Sequence, residues 1–312
     1  MLSILDIEKK FFLQLVFILC LCLICVILFS VVGLVLSVGL YDFNPNNAHN
    51  IANLMENEVD GYKIIQLSGS IGLFLIPPVL YGVFTSKNSL DKLGFKIPNK
   101  SINYLLVFIL MIVSAPFISW VIEMNANMAL PDFLDGVQQW MKKSESEAEH
   151  ITRSFLTFDG LGSLFYVMVI VAIVPAVGEE LLFRGVLQNI FIGWCKNAHL
   201  GIWITAILFS ALHMQFFGFF PRVLLGVLFG YIFWWSKSLW LPILGHFINN
   251  GSIVIASYLY PESVEQAEIS ILEGSENPWI YYAGSFILAV IIFYFIRKVN
   301  NKDVTNNQTI TP

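Results

Sequence analysis

Long apolar runs alternate along this chain with short polar stretches. A helix needs roughly 20 mostly apolar residues to cross a hydrocarbon layer. The pattern yields eight candidates, at residues 11–40, 64–84, 104–122, 163–194, 200–215, 217–235, 239–260 and 279–296. The fourth is long and interrupted by Pro175 and Gly178, which predicts a kinked or broken helix there. Between the third and fourth runs, the stretch 133–155 is polar and rich in Glu and Lys. Phe133, Val137, Trp140 and Met141 recur in it at helical spacing, which predicts an amphipathic helix lying on a surface. From Asn300 onward the chain is rich in Asn and Thr, and a disordered tail is expected. No internal repeat is visible.

Composition turns this pattern into a fold class. Of 312 residues, 57% are hydrophobic and 12% charged, against roughly a quarter charged in water-soluble domains. Such an excess needs lipid as solvent, so the expected class is an all-α polytopic membrane protein of about eight spans. Lys9 and Lys10 precede the first run, but its 30 residues far exceed the roughly 7–15 of a signal-peptide core. It is read as a retained span.

Loop charges then orient the spans. With the N-terminus inside, cytoplasmic positions hold Lys9, Lys10, Lys87, Lys92, Lys96, Lys100, Lys196, Lys237, Arg297, Lys298 and Lys302, whereas outer loops hold Lys63, Lys142, Lys143 and Arg153. The outer loops gather acids instead, including Glu262, Glu265, Glu268, Glu273 and Glu276. Eight spans in the plasma (inner) membrane, with both termini cytoplasmic, are therefore expected. The expected organisation is an N-terminal three-helix membrane region (1–123), an extracytoplasmic loop (124–162) and a core (163–260). An outer loop with the last span (261–298) and a disordered cytoplasmic tail (299–312) follow. The net charge of −5 argues against nucleic-acid binding, and no basic cluster stands out for anionic lipid. Cys20, Cys22, Cys25 and Cys195 suggest neither a disulfide framework nor a metal knuckle.

Ionisable groups inside spans are costly, so each is a candidate for function. Glu179, Glu180 and Arg184 lie on the fourth run, His213 on the fifth, and His246, Asn249 and Asn250 on the seventh. Glu180 and Arg184 are four apart, with Glu N-terminal, the favourable orientation for a helical ion pair. Glu179 is turned about 100° away on an ideal helix. One carboxylate is thus expected to be neutralised by arginine, leaving the other free as a base. Phe209 and His213 share a face. His246 has Asn249 three and Asn250 four residues on, and spacing does not choose between them. An imidazole and an amide aimed at one point make an oxyanion hole; they also serve as packing glue between helices. At 1.5 Å per residue, Glu179, His213 and Asn250 lie about 24, 22 and 20 Å from the cytoplasmic ends of their helices, so they can share a level.

In this order, Glu179-Glu180-Leu-Leu-Phe-Arg184, Phe209-Ser-Ala-Leu-His213 and His246-Phe-Ile-Asn-Asn250 resemble the type II CAAX-prenyl endopeptidases and their bacterial relatives, the CPBP (Abi) family. The resemblance covers about residues 169–256. It implies a bundle of eight helices around a membrane-embedded cavity, and an intramembrane endopeptidase. It further implies that Glu179 and His213 activate a water, that His246 and Asn250 stabilise the oxyanion, that Glu180 and Arg184 order the site, and that Phe209 shapes the cavity wall. No cofactor is expected. A zinc-dependent variant would use His213, His246 and a Glu as ligands, but no His-Glu-x-x-His helix is present. The expected partners are membrane lipid and an apolar or lipidated membrane-associated peptide; the sequence fixes neither the peptide nor the oligomeric state. The alternative is a non-catalytic scaffold or bacteriocin-immunity protein using the same cavity to hold a peptide. A transporter is weakly supported, lacking repeats.

Overall fold

The computed structural model describes residues 10–47, 56–86, 88–261 and 277–308. Among these the chain is helical, with no strand. Helix α1 spans Phe11–Tyr41. Helix α2 runs through Glu56–Ser70, a π-helical turn at Ile71–Leu75, and Ile76–Thr85. A short α3 (Ser89–Leu93) leads to α4 (Ile102–Ala126). Then come α5 (Asp135–Phe155), α6 (Leu161–Cys195), α7 (Ala198–Ala211), α8 (Phe219–Ser236), α9 (Trp240–Leu259) and α10 (Pro278–Gln308).

All eight apolar runs are therefore helical. Among the described residues, six helices are long and apolar enough to cross a membrane: α1, α4, α6, α8, Glu58–Thr85 of α2 and Pro278–Asn300 of α10. The other two fall short for identifiable reasons. Helix α7 ends after 14 residues, where Met214 takes a left-handed conformation (φ 53°) and the chain turns. Helix α9 has 20 residues, but His246, Asn249 and Asn250 dilute its apolar character. The protein is an integral membrane protein whose outer surface carries lipid-compatible side chains such as Phe12, Leu19, Leu23 and Ile27.

Helix α1 packs along α2, and α10 along α4, while α6, α7, α8 and α9 pack on one another between these pairs. The amphipathic helix foreseen at 133–155 is α5. Two expectations change. Pro175 does not break the fourth span: α6 continues through it, widening into a π-helical stretch at Met168–Ile173 on its N-terminal side, and a second follows at Leu181–Leu187. The segment from Asn300, foreseen as a disordered tail, continues α10 to Gln308, since no Gly or Pro between Ser285 and Gln308 interrupts the ladder. The acidic positions Glu262, Glu265, Glu268, Glu273 and Glu276 lie outside the described residues. All four cysteines are free.

One close approach positions the site. A Cβ added to Gly178 would stand 2.8 Å from Phe74 Cβ and 3.4 Å from its backbone carbonyl carbon, so α2 closes directly on α6 one residue before Glu179. Gly178→Ala is expected to cost about 1–3 kcal/mol through overpacking. Gly39→Ala, where an added Cβ meets nothing within 4 Å, should be neutral to slightly stabilising by helix propensity. Thermal midpoints of the two variants in detergent check this; equal midpoints would remove the close-approach argument.

Candidate active site

Helix α6 supplies two adjacent carboxylates with different surroundings. Glu180 Oε1 accepts from Arg184 Nη1 at 2.7 Å and is 2.9 Å from His246 Nδ1 on α9. Both Glu180 and Arg184 are fully buried. Arg184 also donates from Nη2 to the Gly226 carbonyl of α8 at 3.0 Å. Its guanidinium lies over the rings of Phe209 (4.9 Å) and Phe229 (5.6 Å), where desolvated cation–π contact adds to the ion pair. The expected Glu180–Arg184 pair is present, and it joins α6, α7, α8 and α9.

Glu179 has a different setting. It is buried, and its Oε2, like Glu180 Oε2, makes no hydrogen bond among the described residues, but it faces two imidazoles. That oxygen stands 4.0 Å from His213 Nε2 and 3.8 Å from His246 Nε2. These distances exceed a hydrogen bond, and a polar gap of this size suits a bridging water.

The tautomers follow from the partners of the other ring nitrogens. His213 Nδ1 is 2.8 Å from the Phe209 carbonyl, which can only accept, so Nδ1 carries the hydrogen. His246 Nδ1 likewise donates to Glu180, whose Oε1 is also held by Arg184. In their neutral forms both rings therefore turn the lone pair of Nε2 toward Glu179. Phe209 T-packs against both imidazoles, at 5.0 Å (His213) and 6.0 Å (His246), and Phe229 stacks on His246 at 5.8 Å. Three acceptors thus converge on one point, walled by two aromatic rings.

His213 lies just past the end of α7, in a turn, rather than within a span as expected. Its ring still reaches back to Phe209, four residues earlier. The turn is held from several sides. Asn125 at the end of α4 donates to the Phe216 carbonyl and accepts from the Phe220 N–H. The Phe217 N–H donates to Glu145 of α5, and Trp140 of α5 packs against Phe216 with centroids 5.1 Å apart. Helix α5 therefore braces the turn that carries His213.

Asn250, expected as an oxyanion donor, is engaged between α9 and α6. Its Nδ2 donates to the Val171 carbonyl at 3.1 Å, and its Oδ1 accepts from Asn249. This bond ties α9 to the π-helical stretch of α6 just before Pro175. Nothing in the sequence marked Gly226, Phe229, Asn125 or Glu145, because each acts across helices. Among the described residues no group of three His, Cys, Asp or Glu side chains is arranged to hold a metal ion.

Comparison with known proteins bears out the resemblance. Residues 161–252 match the family model described as type II CAAX prenyl endopeptidase Rce1-like. An uncharacterized protein, YpbD, of Bacillus subtilis (strain 168) is 31% identical over 85 residues, covering 26% of this chain and 40% of that protein. The membrane-embedded CAAX protease MroQ of Staphylococcus aureus (strain USA300) is 31% identical over 103 residues, covering 31% of this chain and 41% of that protein. The chain thus spans about two fifths of the length of these curated relatives. No solved structure gives a significant match.

Proposed function

We propose that this chain is an intramembrane endopeptidase that hydrolyses a peptide bond in an apolar or lipidated membrane-associated peptide. The observation that carries this reading is the buried, hydrogen-bond-free Glu179 Oε2, flanked by two imidazole Nε2 atoms at 3.8 and 4.0 Å. A water in the gap has two protons to give and three acceptors to receive them. Glu179 and His213 orient it, take a proton as it attacks the scissile carbonyl, and return that proton to the leaving amine as the C–N bond breaks.

The oxyanion is assigned to His246. Its Nδ1–H is committed to Glu180, so Nε2 donates once the ring has taken a second proton from solvent, leaving Glu179 and His213 to accept from the attacking water. The Glu180 carboxylate stabilises that imidazolium as charge develops on the substrate oxygen. Asn250, expected as the second oxyanion donor, is better supported as a positioning residue that holds α9 against α6. The match to the CAAX endopeptidase model over the same residues supports the reaction class. The substrate's apolar character follows from the depth of the site, and a plasma-membrane location with cytoplasmic termini follows from the loop charges.

Full-length protein incubated with a membrane peptide extract in ¹⁸O-water tests the proposal. Protein-dependent new peptide C-termini carrying one ¹⁸O are expected, and their formation should be unchanged by a metal chelator. If no labelled termini form, the hydrolase reading fails and the peptide-holding scaffold takes its place. If the chelator abolishes labelling, the metal-free mechanism fails while the hydrolase survives.

A further inference from the structure

A cavity of about 340 Å³ opens at the end of the bundle remote from α5. That is room for a phosphate group. Three lysines line it: Lys92 of α3, Lys96 just beyond α3, and Lys237 directly after α8. Asp91 is the one acidic residue in the lining, leaving a formal excess of two positive charges (three minus one). The inner wall is polar as well, with Gln14 of α1 and Asn189 of α6.

The lysines' surroundings define what they can bind. Lys92 Nζ donates to the Thr85 carbonyl at 3.0 Å. Lys237, in a left-handed conformation (φ 55°), holds its ammonium 3.4 Å above the Trp234 ring. Neither Lys96 nor Lys237 has a carboxylate within ion-pair distance among the described residues. The cavity also sits at a defined height. Thr85 and Ser236 end two spanning helices beside it, and Trp194, Trp234 and Trp240 lie at the same helix ends, as side chains of the membrane interface do. Lysines at this level meet the phosphates of lipid headgroups.

We propose that this cavity is a binding site for a phosphate group, carried by an anionic phospholipid or free in solution. No basic cluster stands out along the sequence, because Lys92 and Lys96 are some 140 residues from Lys237; the packing of α3 and the turn after it against α6 and α8 gathers them. The site is separate from Glu179 and does not depend on the hydrolase reading.

Full-length protein in detergent is to be supplied with equal phosphatidylglycerol and phosphatidylcholine, and retained lipid counted by native mass spectrometry. The wild type should retain phosphatidylglycerol preferentially. The Lys96→Gln/Lys237→Gln protein should retain it roughly 10–30-fold less, as expected for the loss of two interfacial cations. Lys142→Gln/Lys143→Gln, which removes two lysines from α5, should behave as wild type. If neither lipid is retained but millimolar inorganic phosphate raises the thermal midpoint of wild type and not of the double variant, the ligand is free phosphate. Asp91→Asn, which removes the opposing charge, should strengthen binding and guards against a double variant that fails to fold. Equal retention of the two lipids without any phosphate effect overturns the proposal. So does a folded double variant indistinguishable from wild type, or an Asp91→Asn protein that binds no better.

Discussion

Glu179→Gln is expected to lower peptide cleavage by roughly 10²–10⁴-fold, the usual contribution of a positioned general base, while leaving the thermal midpoint unchanged or slightly raised. The stability half of this expectation is as informative as the kinetic half. Glu179 Oε2 makes no hydrogen bond among the described residues, so an amide of the same shape forfeits none there. Its N–H₂ can even donate to His213 Nε2 or His246 Nε2, both of which turn lone pairs toward it. The amide cannot take a proton from water, and catalysis stops. Cleavage at the wild-type rate would end the hydrolase reading. A collapse of stability would show that the oxygen facing the two histidines has a structural role after all.

Arg184→Met is expected to produce the opposite pattern, a loss of about 3–5 kcal/mol of stability, because it leaves a buried carboxylate without its cation. Arg184 and Glu180 are both fully buried and 2.7 Å apart. Methionine fills part of the volume between Phe209 and Phe229 but gives up the donor to the Gly226 carbonyl. The decisive comparison is the double variant Glu180→Gln/Arg184→Met. A neutral amide can still accept from His246 Nδ1, and the stranded charge is gone. The double variant should therefore recover to within about 1–2 kcal/mol of wild type, since buried pairs replaced by neutral side chains are often nearly neutral in stability. Thermal midpoints of the single and double variants measured in one detergent settle the matter. An Arg184→Met protein as stable as wild type, or a double variant no better than the single, would show that the charge pair is not what holds α6, α8 and α9 together. The two glutamates, adjacent in sequence, are thus expected to separate into one that catalyses and one that supports.

That separation was partly legible in advance. The four-residue offset between Glu180 and Arg184 put them on one helix face, and exclusion left Glu179 free. The offset of His213 from Phe209 likewise foretold a shared face, although the helix ends before His213 and a turn delivers the ring. What spacing could not supply was the partner of each group on another helix. Spacing did not choose between Asn249 and Asn250, and only the family resemblance implied that Asn250 is a second oxyanion donor. Its amide meets the Val171 carbonyl of α6, a partner on another helix. Phe229, which stacks on His246, and Glu145, which braces the His213 turn, carried no mark in the sequence.

The chain by itself determined its solvent, its helices and the pairs within them. Apolar run length sets what lipid will accept, and residues three or four apart on a helix meet wherever the helix goes. The tertiary structure decided which oxygen faces two imidazoles, which amide is already occupied, and that three lysines from two distant segments surround one cavity. Those outcomes depend on the rotation, depth and close approach of packed helices. Such quantities are fixed by contacts like Gly178 on Phe74, between residues remote in sequence, rather than by any periodicity within one segment.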